Sequence, residues 1–275
     1  MTTQNTHISI TFNLLEQILA AKLSITTTRL LIAMIYMQDR ADLWRSDDLY
    51  IQNPEEAATW AFGTELRALV GPAGSNNARS LKKLVDEVAG RGLFDEITLT
   101  DRNSRLSWRF SKTVHEMMAL RWSGENFALL DIEKVRACRS PTTLDLYCRV
   151  RNLRKSRIPE FEMPLEGRWC DHRVNFLCAM QQVVTLENTT AFVGLELVRR
   201  GEGSQRLLVR LRHEGTTWYP AKIRFWAFNA RVFRVSPTEI IEIDGENFEN
   251  YAITGEDPAL VEANLRKNLV ASGGS

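Results

Sequence analysis

A serine followed by proline, with Leu144, Tyr147, Cys148 and Arg151 at spacings of i, i+3, i+4 and i+7 beyond, commits one stretch of this chain to an amphipathic helix. Ser140 is placed to cap that helix, and Pro141 fits its first turn because the missing N–H would have no partner there. Three apolar groups and the stem of an arginine form a stripe that must pack against something. The preceding FALLDIEK alternates like a strand, and GRWCDHRVNFLCAMQQ downstream predicts a second helix with one polar face. Residues 127–182 therefore read as short strand, long helix, turn and polar-faced helix.

The same order occurs upstream. ISITF, residues 8–12, alternates like a strand, and after Leu23 a hydroxyl-capped helix follows with Leu30, Leu31, Met34 and Met37 as its buried stripe. A polar loop comes next, in which a short strand at 49–52 is one reading. Residues 59–70 predict a short helix halted at Gly71 and Pro72. Ser75 or Asn76 can cap a further helix with Leu81, Leu84, Val85 and Val88 inward and Gly90 or Gly92 as its stop. ITLTDRNSRLSWRF then predicts a hairpin, and residues 111–122 a linking helix. The second half answers with TAFVGLELV and QRLLVRLRH as a hairpin around RRGEGS. This order points to an internal duplication and to an α+β fold of two tandem winged-helix domains, 1–122 and 123–215. Residues 216–275 form a β-rich aromatic segment with an acidic tail.

Charge distribution argues for a phosphate-bearing partner although the net charge is only +1. Residues 134–234 hold 19 Lys and Arg against 9 Asp and Glu, whereas residues 235–275 hold 2 against 8. Local surplus, not overall pI, is what attracts phosphates. The most apolar run, 30–37, is far shorter than the roughly 20 residues a membrane span needs. The N-terminus lacks a signal-peptide pattern, so a cytoplasmic location with no membrane partner is expected. Four cysteines, Cys138, Cys148, Cys170 and Cys178, contain no C-x-x-C spacing. They read as buried free thiols and not as a zinc site.

The face of the second polar helix carries Arg168, His172, Asn175, Ala179 and Gln182, if Cys170, Val174, Leu177 and Cys178 point inward. Arg, Asn and Gln can each pair two-pronged with base edges, and Ala can meet a thymine methyl. Arg173 adds a neighbouring cation. In the hairpin, Arg199 and Arg200 lie on one strand, and Arg206, Arg210 and Arg212 share one face of the other, which suits phosphate contact. In the first half the corresponding groups are Asn76, Arg79, Lys82 and Lys83 on the helix, with Arg102 and Arg105 at the hairpin tip. The aromatic run 217–235 reads as a sheet-edge or core-covering strand, with base stacking or a dimer contact as alternatives. No P-loop, G-x-S-x-G or His cluster is present, so no enzymatic activity, cofactor or metal is expected. Glu242, Asp244 and Glu246 read as a solvent-facing strand end.

The succession of FALLDIEKVRACRSPTTLDLYCRVRNL, RWCDHRVNFLCAMQQV and a hairpin resembles the second winged helix of plasmid replication initiators of the iteron-binding Rep type. SITTTRLLIAMIYM, the Ser75 helix and the hairpin up to Phe110 resemble their first. Ser140, Leu146 and Tyr147 carry the most specific element, and the likeness spans about residues 8–215. Asp145 departs from it, standing where members commonly carry a basic residue, and the segment after Glu214 has no counterpart. The resemblance implies binding to repeated duplex sites at a plasmid or mobile-element origin, opening of adjacent duplex and recruitment of host replication proteins, with homodimers repressing and monomers initiating. A transcriptional regulator that binds an operator, or a winged-helix protein-protein adaptor, are the alternatives.

Overall fold

Strand β1 (His7–Thr11) pairs antiparallel with β5 (Phe127–Asp131), so two segments that the sequence marks as repeats lie side by side although about 120 residues separate them. Register sets Ile8 opposite Leu130 and Ile10 opposite Ala128, and all four are buried. The computed structural model describes residues 6–41, 43–44, 58–71, 79–119, 127–153, 159–165, 168–200, 204–213 and 231–243. Its secondary structure is α+β and falls into two compact units, Met1–Arg154 and Lys155–Ser275.

In the first unit each opening strand runs directly into a helix that the sequence reading does not separate from it. These are α1 (Phe12–Ala20), with Leu14, Leu15 and Ile18 buried, and later α6 (Ile132–Ala137). The second carries its own cap, since the Glu133 amide donates to Asp131 Oδ1 at 2.9 Å. Helix α2 (Ile25–Arg40) begins at Ser24, whose Oγ accepts from the Thr27 amide. Leu30, Leu31 and Met34 are buried as the stripe predicts, but so are Ile32, Ala33, Ile35 and Tyr36. A helix covered on every side is the centre of its unit, not a surface element.

The predicted helix over 59–70 is a strand followed by a shorter helix, β2 (Thr59–Phe62) and α3 (Gly63–Val70). Alternation decides the first four residues: Ala61 is buried while Trp60 and Phe62 face out, and β2 pairs with the later strand β4. At the junction Glu65 accepts from the Phe62 amide at 2.9 Å, and an added Cβ at Gly63 would collide with Leu81. Helix α4 (Arg79–Val88) buries Leu81, Leu84 and Val88, leaving Val85 partly exposed, and the chain turns at Gly90 and Gly92, both at positive φ. Strands β3 (Phe94–Thr100) and β4 (Arg105–Phe110) complete a three-stranded sheet ordered β2-β4-β3. Helix α5 (Lys112–Ala119) follows, and Ser111 Oγ accepts from the Val114 amide at its start. The expected cap at Ser75 or Asn76 and the strand at 49–52 lie outside the described residues.

Helix α7 (Pro141–Leu153) closes the first unit. Ser140 Oγ accepts from the Thr143 amide at 3.0 Å, and Leu144, Leu146, Tyr147 and Cys148 are buried. The Asp131 amide donates to the Tyr147 phenol oxygen at 2.9 Å, and Arg151 Nε donates to the Leu129 carbonyl at 2.7 Å, so the helix holds β5 from both ends of its stripe. Arg149 bridges to α1: its Nη1 lies 2.6 Å from Glu16 Oε1 while its Nε lies 2.7 Å from Asp145 Oδ1. Burial pushes the Asp145 carboxyl up, opposed by Arg149 and reinforced by the nearby Glu16 charge.

Among the described residues, the second unit holds a five-stranded antiparallel sheet, ordered β10-β9-β7-β8-β6, with one long helix. Its elements are β6 (Glu160–Pro164), α8 (Trp169–Glu187), β7 (Ala191–Arg200), β8 (Ser204–His213), β9 (Arg231–Val235) and β10 (Ile240–Ile243). Strand β6 has no counterpart in the sequence reading because its five residues sit beside a proline. Strand β9, the described end of the aromatic run, is flanked on both sides by β7 and β10, so it is interior to the sheet and not an edge. The rest of that run, with Trp218 to Phe228, and the tail beyond Ile243 lie outside the described residues.

Arg149→Ala strands two carboxylates beside a buried helix face. It is expected to lower stability by about 3–5 kcal/mol in urea denaturation. The folded carboxyl of Asp145 holds its proton more tightly than the unfolded one, so its favourable contribution is fully present below the unfolded value and lost as pH rises through the folded one. Asp145→Asn, which removes a like charge from beside Glu16, is therefore expected to change stability at neutral pH far less than Arg149→Ala does.

Candidate nucleic-acid interface

Among the described residues, helix α8 buries side chains in its second half alone. Phe176, Leu177, Ala179, Met180, Val183 and Val184 are buried, whereas no residue from Trp169 to Asn175 is. The side chains of the N-terminal two turns are thus exposed or half-buried. The expected inward stripe of Cys170, Val174, Leu177 and Cys178 is corrected: only Leu177 is buried, and Val174 is 55% exposed. Larger groups win the inward position because Phe176, Met180 and Val184 remove more apolar surface from water than two thiols and a valine would. The helix is rotated accordingly.

This rotation changes the outward face. Arg168, at the helix start, and Asn175 are exposed as expected, while Ala179 is buried and is no candidate for a base contact. Val174 and Cys178 take its place on the surface. His172 and Gln182 are half-buried. Arg173 is half-buried with its guanidinium 6.0 Å from the Trp169 ring centroid, and Arg168 pairs with Asp171 at 2.9 Å in a fully solvated setting. Such an exposed pair is worth little and opens readily toward a better anion. Gln181 is used structurally, donating to the Ser236 carbonyl at 3.3 Å.

The hairpin behaves differently from the prediction of a cationic strand face. Leu207, Val209 and Leu211 are buried as alternation requires. Yet Arg210 pairs with Glu160 at 3.1 Å and Glu196 at 3.0 Å, and Arg206 lies 3.4 Å from Glu162. Register explains this, since β6 sets Glu160 opposite Arg210, and β7 sets Glu196 beside it on the same face. Arg206 and Arg210 are thus members of a cross-strand charge ladder. Arg199 is exposed near the hairpin tip and makes no ion pair among the described residues. The side chain of Arg200 lies outside the described residues.

In the first unit, Arg79, Lys82 and Lys83 are exposed on one face of α4, and Asn76 lies outside the described residues. Lys83 is 3.3 Å from Glu87. Burial alone would raise the Glu87 carboxyl, but donation from the Ser24 amide, the Thr27 and Ser24 hydroxyls and Lys83 brings it below its ordinary value. At the hairpin tip Arg102 is exposed at φ 56°, in the left-handed region uncommon for a non-glycine residue. Ser104 holds that turn, its Oγ donating to the Asp101 carbonyl at 2.7 Å. Arg105 is not at the tip: it opens β4, and its guanidinium lies 4.1 Å over the Trp60 ring. Trp60 and Phe62 are exposed aromatics that the helix reading of 59–70 concealed; the Trp-Ala-Phe alternation was the signal for them.

Among the described residues no group of three or more His, Cys, Asp or Glu could hold a metal ion, and no helix is long and apolar enough to cross a membrane. No protein-family model matches this chain, and no curated protein matches it by sequence. Its fold is similar to that in the crystal structure of Pi initiator protein in complex with iteron DNA. The TM-score is 0.53 at 12% identity, over 78% of this chain and 100% of that chain. The likeness is one of fold.

The buried free thiols expected at all four cysteines hold for Cys138 and Cys148 only. Burial pushes the Cys138 thiol up to about 12 and Cys148 well above its ordinary value. Cys170 and Cys178 are exposed. A chromogenic disulfide reagent is expected to titrate two thiols in the native protein and four after unfolding, and Cys178→Ser is expected to remove one of the fast pair.

Proposed function

We propose that this chain is a non-enzymatic, sequence-specific duplex-DNA-binding protein with two tandem winged-helix domains, acting as a replication initiator at a plasmid or mobile-element origin. The observation that carries this reading is the N-terminal half of α8, with exposed Arg168 and Asn175 and no buried residue in the helix before Phe176. A helix that reads the major groove needs such an exposed start, because base edges are reached from its first turns. The solved relative in fold is described as an initiator in complex with iteron DNA, which favours initiation over operator binding alone.

On this reading Asn175 pairs with a purine edge, Arg168 leaves Asp171 for guanine or phosphate, and Val174 meets a thymine methyl. Arg102 and Arg199, each at or near a hairpin tip and unpaired among the described residues, contact phosphates, with Lys82 on α4 contributing a further charge. Arg206 and Arg210 support the sheet. Homodimerisation and recruitment of host replication proteins, in a cytoplasmic setting, complete the proposed role.

Asn175→Ala is expected to cost about 1–3 kcal/mol on the cognate repeat and little on random duplex. Arg199→Ala is expected to weaken all sequences alike and to reduce the slope of log affinity against log salt by about 1, whereas Arg210→Ala leaves that slope unchanged. Failure of the wild-type protein to bind any duplex at about 50 mM salt would sink the proposal. Footprinting with a probe for unpaired bases separates the initiator from a plain operator-binding regulator, since only the initiator exposes bases beside its repeats.

A further inference from the structure

The five-stranded and three-stranded sheets of this protein treat their arginines in opposite ways. In the second unit Arg206, Arg210, Arg231 and Arg234 each pair with a glutamate. On the outer face of β2-β4-β3, Arg105 and Arg109 make no ion pair or hydrogen bond among the described residues, and the Nε of each is shielded from water without a partner. Glu96 stands opposite Arg109 in register, yet the two are not paired. Beside these cations Trp60 is 49% and Phe62 44% exposed, with ring centroids 5.4 Å apart and planes near perpendicular. Register sets Trp60 against Ser107 and Phe62 against Arg105, so aromatics and arginines share one face.

We propose that this face binds single-stranded nucleic acid, its bases stacking on Trp60 and Phe62 and its phosphates meeting Arg105 and Arg109. Stacking platforms of this kind combine exposed rings with unpaired cations, because every base has a π-face and every linkage a charge. Alternate positions on a strand are about 6.8 Å apart, which suits successive unpaired bases. Duplex DNA is the poorer occupant: its bases hide their faces, and the major groove admits a helix or a two-stranded ribbon but not the face of a three-stranded sheet. An apolar protein partner would leave two guanidinium groups buried without counter-charge. Arg105, lying over one side of the Trp60 indole, holds the ring in place and leaves it able to receive a base on its open side. The inference does not rest on the duplex-binding role of α8.

The test is fluorescence anisotropy of a labelled oligothymidylate of about 20 nucleotides with the full chain at about 50 mM salt. Trp60→Ala and Phe62→Ala are each expected to weaken binding roughly 5- to 150-fold, the weight of one base stack, while Trp60→Phe retains most of it. Both side chains are exposed, and unchanged thermal unfolding of each variant verifies that the fold survives. Asn175→Ala is expected to leave oligothymidylate binding intact, so loss of cognate duplex binding in that variant with retention of the single strand separates this proposal from the preceding one. Absence of oligothymidylate binding by the wild-type chain overturns it. So does equal binding by wild type and both alanine variants, or an effect of these variants on self-association alone.

Discussion

The antiparallel pairing of β1 with β5 is the constraint on which the first unit depends. It joins segments about 120 residues apart, and such a non-local contact must recover the entropy of closing a long loop. Four buried aliphatic side chains on one face of the ladder contribute, but a two-stranded ribbon is marginal unless something packs on it. That partner is α7, fastened by the Tyr147 and Arg151 hydrogen bonds to the β5 backbone and by the Arg149 bridge to Glu16. Those residues explain why Ser140, Leu146 and Tyr147 form the most specific element in the sequence: they are scaffold. Asp145, which departs from the initiator pattern, is accommodated by the arginine one turn later.

The same economy of apolar surface governs the candidate reading helix. Phe176, Met180, Val183 and Val184 anchor the second half of α8, and among the described residues none of the first half is fully buried. The consequence is a helix surface whose exposed groups include Asn175, Val174 and Cys178 together with Arg168. Exposed thiols are uncommon among cysteines, which usually behave as small buried hydrophobes. Here they mark the side of the helix that the core does not need.

Charge placement distinguishes the five-stranded from the three-stranded sheet more sharply than topology does. In the five-stranded sheet antiparallel register brings Glu160, Glu162 and Glu196 to the arginines of β8, so a row that looks cationic along one strand is close to neutral across three. In the three-stranded sheet the corresponding positions bring serine and aromatic side chains to Arg105 and leave Arg109 without an ion pair among the described residues. Among the described residues, arginines without an ion pair thus stand near hairpin tips and on the β2-β4-β3 face, and not where arginines are most numerous.

Local pattern alone determined the helices around Leu30, Leu81 and Leu144, both hairpins and the exposed cations of α4, because capping residues, 3.6-residue periodicity and strand alternation act within a few residues. Short junctions escaped it: α1 and α6 follow their strands without a separator, and β2 was absorbed into a helix until its pairing with β4 selected the extended form. The phase of α8 and the neutralisation of Arg206 and Arg210 were decided only by tertiary structure. Which of two competing stripes turns inward depends on the total apolar area each can bury against the sheet, and whether an arginine is free depends on what register places across from it. Both are properties of neighbours far away in the chain.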